Sequence, residues 1–225
     1  MNKWREYLTT LLLAVLCAVI VRNYFITAYK VPTGSMQPTL KPGDFIFSSR
    51  LAYKFNLPLI GTLFPQTAPQ RGDLVVFTYP DMRTVNYVKR VIAIAGDKVE
   101  IEDGKILLND EPLRYVKGEG SIADNPNPEL FEIFEEHLGE LSWRVIFQKS
   151  GRKENFGPIV VPPGEVFLLG DNRDASDDSR YWGTVSEAEL RGRVFFIWFS
   201  LDSKRRWMNN SYPSVRWERV FSSVH

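Results

Sequence analysis

Apolar positions along the chain fall into two regimes. In the N-terminal stretch MNKWREYLTTLLLAVLCAVIVRNYFITAYK, Leu11 to Val21 is unbroken apolar sequence, 11 residues long. As a helix that run covers only about 16 Å, roughly half a bilayer core. Widened to Tyr7–Thr27 it has 21 residues and reaches about 31 Å, enough to cross, with Arg22 and Asn23 snorkelling to the interface. Beyond residue 30 the pattern changes to short β-prone runs set between glycines, prolines and aspartates. GDFIFSSRLAY and GDLVVFTYP each place such a run behind Gly-Asp, and PPGEVFLLGDN and GRVFFIWFS supply two more. TVNYVKRVIAIAGDKVE patterns as a strand ending in a Gly-Asp turn, and IEDGKILL predicts a hairpin around Asp103-Gly104. Helical period is scarce. NPELFEIFEEHLGEL, about 127 to 141, carries Leu130, Ile133, Phe134 and Leu138 on one face and predicts a helix, and SEAELRG predicts one or two helical turns. Residues 116 to 157 are richer in Gly, Asn, Pro and charge and are expected to form a small α/β insertion.

The expected architecture is therefore mainly β: an N-terminal anchor, residues 1–30, with a single transmembrane helix at about 7–27, then an antiparallel β-rich domain, 31–225, interrupted by the insertion. Lys3 and Arg5 ahead of the apolar run favour a cytoplasmic N-terminus, which places the β domain on the far side of the membrane. A cleaved signal peptide is the rival reading. Arg22 and Asn23 directly after the apolar core, without a small-x-small site, argue against it.

Composition adds exclusions. A chain of 225 residues that is 44% hydrophobic and 24% charged can bury a core, and a net charge of +1 gives no bulk field for nucleic acid or acidic substrates. One cysteine, Cys17, rules out an intrachain disulfide and a Cys-rich zinc site. No Walker or dinucleotide motif is present, and no cofactor or metal is expected.

The candidate chemistry begins at VPTGSMQPTL, where Ser35 sits between prolines just after the apolar run. A Gly-Ser pair in that setting is usually an ordinary turn. If Ser35 is a nucleophile, it needs a base. The two histidines, His137 and His225, lie in the insertion and at the last position, and neither is well placed for a Ser-His-Asp arrangement. A lysine base is the remaining option. Lys89, in the strand Val85 to Ala93, shares a face with Val85, Tyr87, Val91 and Ala93, while Arg90 points the other way. A lysine on an apolar face is desolvated and its pKa falls; a lysine at a strand edge, reaching water, is the plain alternative. GDNRDASDDSRYWG, residues 170 to 183, predicts a tight hydrogen-bonded loop. An EF-hand reading fails, because counting from Asp174 puts Ser179 at the glycine position and Val185 at the glutamate position.

Taken in order, VPTGSMQPTL, GDFIF, RGDLVVF, YVKRVIAIAGDKVE and GDNRDASDDSRYWG, after an apolar anchor, closely resemble the boxes of the bacterial type I signal peptidases, over residues 22 to 200 apart from the insertion; VRWERVF resembles that family's ending. The resemblance implies a signal-peptidase-type catalytic domain: a membrane-bound Ser-Lys endopeptidase that removes signal peptides from exported preproteins after Ala-X-Ala. It assigns Ser35 as nucleophile, Lys89 as general base, Ser176 as the hydroxyl that orients the lysine, and Thr33 with the Ser35 N–H as the oxyanion donors. Asp178 and Arg180 match a structural ion pair, and Arg90 is read as structural. Tyr29, Val31, Met36, Leu40, Tyr87 and Val88 match positions lining or next to the substrate pockets. Signal peptides, the lipid bilayer and, indirectly, the export machinery are the implied partners. Two departures bear on packing and preference: Ala175 where the family often has Asn, and TAY where it often has Glu-Pro-aromatic. Two other classes remain: a self-cleaving Ser-Lys protease, which needs a DNA-binding module where the apolar anchor stands, and a non-catalytic signal-peptide-binding relative, which has no need of Ser35, Lys89 and Ser176 together.

Overall fold

A computed structural model describes residues 3–20, 25–53, 67–80, 82–118, 128–151, 153–207 and 212–224. The apolar N-terminal run forms helix α1 (Lys3–Ile20), 18 residues or about 27 Å. Leu11, Leu12, Leu13, Val15, Leu16 and Val19 are all exposed, so apolar side chains face outward on every side. Among the described residues no helix is long and apolar enough to cross a membrane. The span predicted over 7–27 is corrected at its end: residues 21–24 lie outside the described residues, and Ile26 and Thr27 belong to strand β1 (Ile26–Lys30). There the β-branched, alternating ITAYK pairs antiparallel with β2 (Asp44–Ser49), from Ile26 opposite Ser49 to Lys30 opposite Phe45.

The remaining strands are β3 (Leu74–Thr78), β4 (Asn86–Ile94), β5 (Lys98–Glu102), β6 (Lys105–Leu108), β7 (Glu111–Pro112), β8 (Arg114–Lys117), β9 (Phe131–Leu138), β10 (Leu141–Gln148), β11 (Phe156–Val160) and β12 (Glu165–Leu169). After a short helix α2 (Ser179–Trp182) come β13 (Val185–Ser186), β14 (Leu190–Trp207), β15 (Tyr212–Val215) and β16 (Ser222–Ser223). They form a large antiparallel sheet in the order β1-β2-β14-β3-β4-β12-β13, with β15 and β16 added to β14, and two smaller sheets, β10-β9-β8 and β11-β5-β6-β7. The β5–β6 hairpin turns at Asp103-Gly104, where φ is +49° and +78°; positive φ at both central residues is what a type I′ turn requires. The main core gathers Ile92, Val99, Ile106, Trp143, Phe167 and Leu169 between the sheets.

Two predicted helices are strands or less. Residues Phe131–Leu138, expected within a helix over 127–141, form β9, which pairs with β10 from Phe131 opposite Gln148 to Leu138 opposite Leu141; residue 127 lies outside the described residues. A lone helix there would offer only its own stripe of Leu130, Ile133, Phe134 and Leu138, whereas the hairpin also buries Trp143, Val145 and Ile146 and packs Phe134 edge-on against Phe147 at 5.7 Å. The described part of the insertion is thus β, not α/β, apart from one 3₁₀ turn at Pro128–Leu130. SEAELRG contains a single 3₁₀ turn, Glu187–Glu189, capped by the Ser186 hydroxyl, before β14 begins.

The long strand β14 joins the two ends of the chain. Asp44, fully buried at the start of β2, accepts from Ser200 Oγ at 2.6 Å, from Arg219 at 3.1 and 2.6 Å, and from the Lys41 backbone N–H at 2.8 Å. Arg219 also donates to the Thr39 carbonyl at 2.8 Å. The C-terminal arginines thereby clamp the segment between β1 and β2. Glycine is required just before Asp44: Gly43 has φ +93°, and a Cβ there would lie 2.0 Å from the Leu201 carbonyl oxygen. Asp44→Ala, which strands Arg219 beside a buried vacancy, is expected to lower the unfolding free energy by about 3–5 kcal/mol, measured by denaturant titration.

Candidate active site

Ser35 lies in the β1–β2 connection, whose shape is set by its own backbone. Val31 N–H donates to the Asp44 carbonyl at 2.8 Å, Gly43 N–H to Val31 at 2.9 Å, and Leu40 N–H to Met36 at 2.8 Å. Val31, Met36 and Leu40 are buried against Ile46, Leu74 and Val76, which pins the loop to the sheet. Ser35 is half-buried. Its carbonyl accepts from the Asn172 backbone N–H at 3.0 Å, and the Asn172 side-chain amide donates to Gly34 at 3.1 Å. The hydroxyls of Thr33 and Ser35 are 3.5 Å apart.

Lys89 is placed by β4. As the alternation requires, it shares a face with Tyr87 and Val91, and Arg90 points away. The chain buries it to 2% exposure. Its Nζ donates to Ser176 Oγ at 2.7 Å, and the Tyr87 ring centre is 5.9 Å away. Burial pushes the ammonium down to about 8; Asp178, Asp177 and Asp171 pull it back up, and Arg180 opposes them. Near that pH a large share of Lys89 is the neutral amine, against about 0.4% for an ordinary lysine.

The third segment, from β12 to α2, holds the first two together. Arg90 grips Asp171 with two bonds, 2.9 and 2.8 Å, both residues being buried. Thr39 Oγ1 donates to the same carboxylate, and the Asp171 carbonyl accepts from Ile146 N–H at 2.9 Å. Asp178 takes Arg180 Nε at 2.8 Å and Nη2 at 3.0 Å, and accepts from Gly170 N–H at 3.1 Å. A single 3₁₀ turn, Arg173–Ala175, then delivers Ser176 in extended geometry. Gly170 stands where nothing larger fits: a Cβ would lie 2.2 Å from Ser176 Oγ and 2.6 Å from the Ser35 carbonyl oxygen.

A cleft of about 360 Å³ runs past these groups and is lined by Tyr29, Val31, Thr33, Ser35, Met36, Tyr87, Val88 and Lys89, with Asn86, Asn172, Ala175 and Asp177 at its edges. Of the residues singled out in the sequence as lining or next to the pockets, Leu40 is fully buried, packs under the loop beside Val31 and Met36 and is not among the residues lining the cleft. A hydroxyl, a partly neutral amine and an apolar slot in one cleft are the groups that acyl transfer by a serine and a lysine would need. A larger hollow of about 860 Å³, between Arg90, Trp143 and Phe195, holds neither Ser35 nor Lys89. Sequence reasoning missed Gly170 and Asn172, although GDN after an apolar run marks a turn. It also missed the buried Glu136, which carries no sequence signal on a segment read as a helix.

Residues 4–199 match the family described as signal peptidase, peptidase S26. Signal peptidase I of Pseudomonas fluorescens is 34% identical over 209 residues, covering 87% of this chain and 72% of the relative. That of Rickettsia typhi is 33% identical over 244 residues, covering 94% and 90%. The solved signal peptidase I from Enterococcus faecalis V583 is 26% identical, covering 56% of this chain and 97% of its own, with a TM-score of 0.35, too low to carry an argument about fold. The chain belongs to the S26 signal peptidase family. It is a signal peptidase enzyme.

Gly170→Ala is expected to cut the cleavage rate about a hundredfold, because Ser35 and Ser176 cannot both hold position beside a methyl group. A kinetic assay on a purified preprotein checks this, and a variant with wild-type rate would mean the close approach is not needed.

Proposed function

We propose that the chain cleaves N-terminal signal peptides from exported preproteins after an Ala-X-Ala-type site, with Ser35 as nucleophile and Lys89 as general base. The observation that carries this reading is the buried amine of Lys89, which is held by the Ser176 hydroxyl and lines the same cleft as Ser35. In the neutral amine one Lys89 N–H hydrogen-bonds to Ser176 Oγ, which leaves the nitrogen lone pair free for Ser35. The amine takes the Ser35 proton as Oγ attacks the scissile carbonyl carbon. The resulting oxyanion is met by the Ser35 N–H and the Thr33 hydroxyl. The Lys89 ammonium then protonates the departing amine as the peptide bond breaks and an acyl-enzyme remains. A water, deprotonated by Lys89, attacks the ester; the signal-peptide carboxylate leaves and Ser35 regains its proton.

Substrate docking follows from the sheet. Among the described residues β12 pairs with β4 only from Arg90 to Ile94, so on the side away from β3 Asn86–Lys89 offer a backbone edge to an extended peptide. Tyr29, Val31, Met36, Tyr87 and Val88 give the slot beside it the small, apolar character that selects alanine-sized side chains. The N-terminal apolar segment, of which α1 is the described part, holds the enzyme in the cell (inner) membrane as a single-pass anchor with a cytoplasmic N-terminus, and the β domain lies on the extracytoplasmic side. Its outward-facing leucines and the leading Lys3 and Arg5 support that topology.

Ser35→Ala and Lys89→Ala are each expected to abolish cleavage of a purified preprotein in detergent, and the wild-type rate should rise with pH along an acid limb near 8, the value to which burial lowers Lys89. Below that limb the base is protonated. A rate that is flat from about pH 5 to 9 contradicts the assignment. Asp177→Asn removes an anion that favours the ammonium, so its limb should move to lower pH by less than about one unit.

Thr33→Val keeps the branched shape and loses the hydroxyl. It should raise the barrier by about 2.7–4 kcal/mol, and Thr33→Ser should retain most activity. Equal rates for the threonine and valine forms would remove Thr33 from the oxyanion site.

A further inference from the structure

The β9–β10 hairpin reaches the loop that carries Ser176 through a buried ion pair. Glu136, on β9, has no exposed surface, and Arg173, in the 3₁₀ turn before Ser176, has 2%. The two form a fork of two bonds, Nη1 to Oε2 and Nη2 to Oε1, each 2.6 Å. Trp143 Nε1–H donates to Glu136 Oε1 at 3.0 Å, and the Tyr115 hydroxyl, which accepts from Ile106 N–H at 3.2 Å, donates to the same carboxylate. Both Glu136 oxygens are therefore occupied, and neither faces a solvent path. Arg173 in turn donates to the Gly170 carbonyl at 3.2 Å, and the Phe147 ring centre lies 6.0 Å from its guanidinium. The hairpin touches the same loop twice more: Gln148 N–H donates to Asp174 Oδ2 at 2.6 Å, and Ile146 N–H to Asp171 at 2.9 Å.

These contacts fall on Asp171, Arg173 and Asp174, directly before Ser176. A 3₁₀ turn of three residues has too few internal bonds to hold its own shape, so its position depends on what grips it. Resting on the Ser-Lys reading above, we propose that Glu136 is a positioning residue: through Arg173 it fixes the turn that presents Ser176 to Lys89, which makes the insertion hairpin a working part of the active site. A buried, fully bonded carboxylate–guanidinium fork suits that task because its geometry is narrow. Stability alone would be served as well by apolar side chains of similar volume.

That last point supplies the test. Glu136→Leu/Arg173→Met replaces the pair with packing, and Glu136→Gln keeps the shape and the Trp143 acceptor. Each is made in the full chain with Ser176 present and again with Ser176→Ala, and kcat and KM are measured on a purified preprotein beside a thermal melt. With Ser176 present, both changes should lower kcat about tenfold or more and leave KM within about twofold. In the Ser176→Ala background they should add almost nothing, because residues acting through one another are not additive. Folded variants with wild-type kcat, or a loss of equal size in both backgrounds, overturn the inference. So does failure of both variants to fold, which would make the pair a stability element. If Ser176→Ala alone leaves kcat unchanged, the Ser-Lys reading fails at the orienting hydroxyl and the inference falls with it; an impaired Ser176→Ala beside normal Glu136 variants sinks the inference alone.

Discussion

A primary amine cut off from water, with a hydroxyl as its hydrogen-bond partner, is the constraint around which this molecule is arranged. Burial of Lys89 costs free energy that a direct carboxylate contact would offset, but such a contact would also hold the amine as ammonium. The structure keeps carboxylates nearby and turns them elsewhere: Asp178 is gripped by Arg180, and Asp171 by Arg90. What reaches Lys89 from these acids is a residual field, and desolvation outweighs it. The buried ion pairs therefore serve two ends, since they fix the loop and also leave the lysine free to lose its proton.

The same loop makes one rigid body of three distant stretches. Asp171 binds Arg90 from β4, Thr39 from the Ser35 loop and Ile146 from the insertion hairpin. Asn172 adds two bonds to Gly34 and Ser35, and Gly170 brings Ser176 and the Ser35 carbonyl to the closest approach a backbone permits. A side chain on a loop is imprecisely placed unless its neighbours are fixed. Here the fixing comes from buried charges on one side and the C-terminal clamp on Asp44 on the other.

Much of this was legible in the residues. Strict alternation in VNYVKRVIA put Lys89 on the apolar face and Arg90 on the opposite one, because period-two patterning leaves no other choice once the strand is granted. Asp103-Gly104 fixed a hairpin for the same local reason. The failures came where tertiary contacts outweighed local pattern. FEIFEEHL satisfies a helical stripe and a half-buried strand about equally, and only its partner LSWRVIFQ decides between them. Ile26 and Thr27 fall inside the stretch widened to 7–27 to reach bilayer length, yet β2 offers them a ladder. Val31 to Met36 line the cleft, but the turn after Met36 carries Leu40 into the core. Glu136 could not be singled out at all, since its importance comes from an arginine 37 positions away.

The central claim is that Lys89 titrates far below an ordinary lysine because the fold withholds water from it. The most direct measurement is an NMR titration of the Lys89 side chain, labelled with ¹³C at Cε, in Ser35→Ala, which keeps the environment and prevents turnover. The account predicts a midpoint near 8, the value to which burial pushes the group. A midpoint at or above about 10.4, that of a solvated lysine, would contradict it and leave Ser35 without a base.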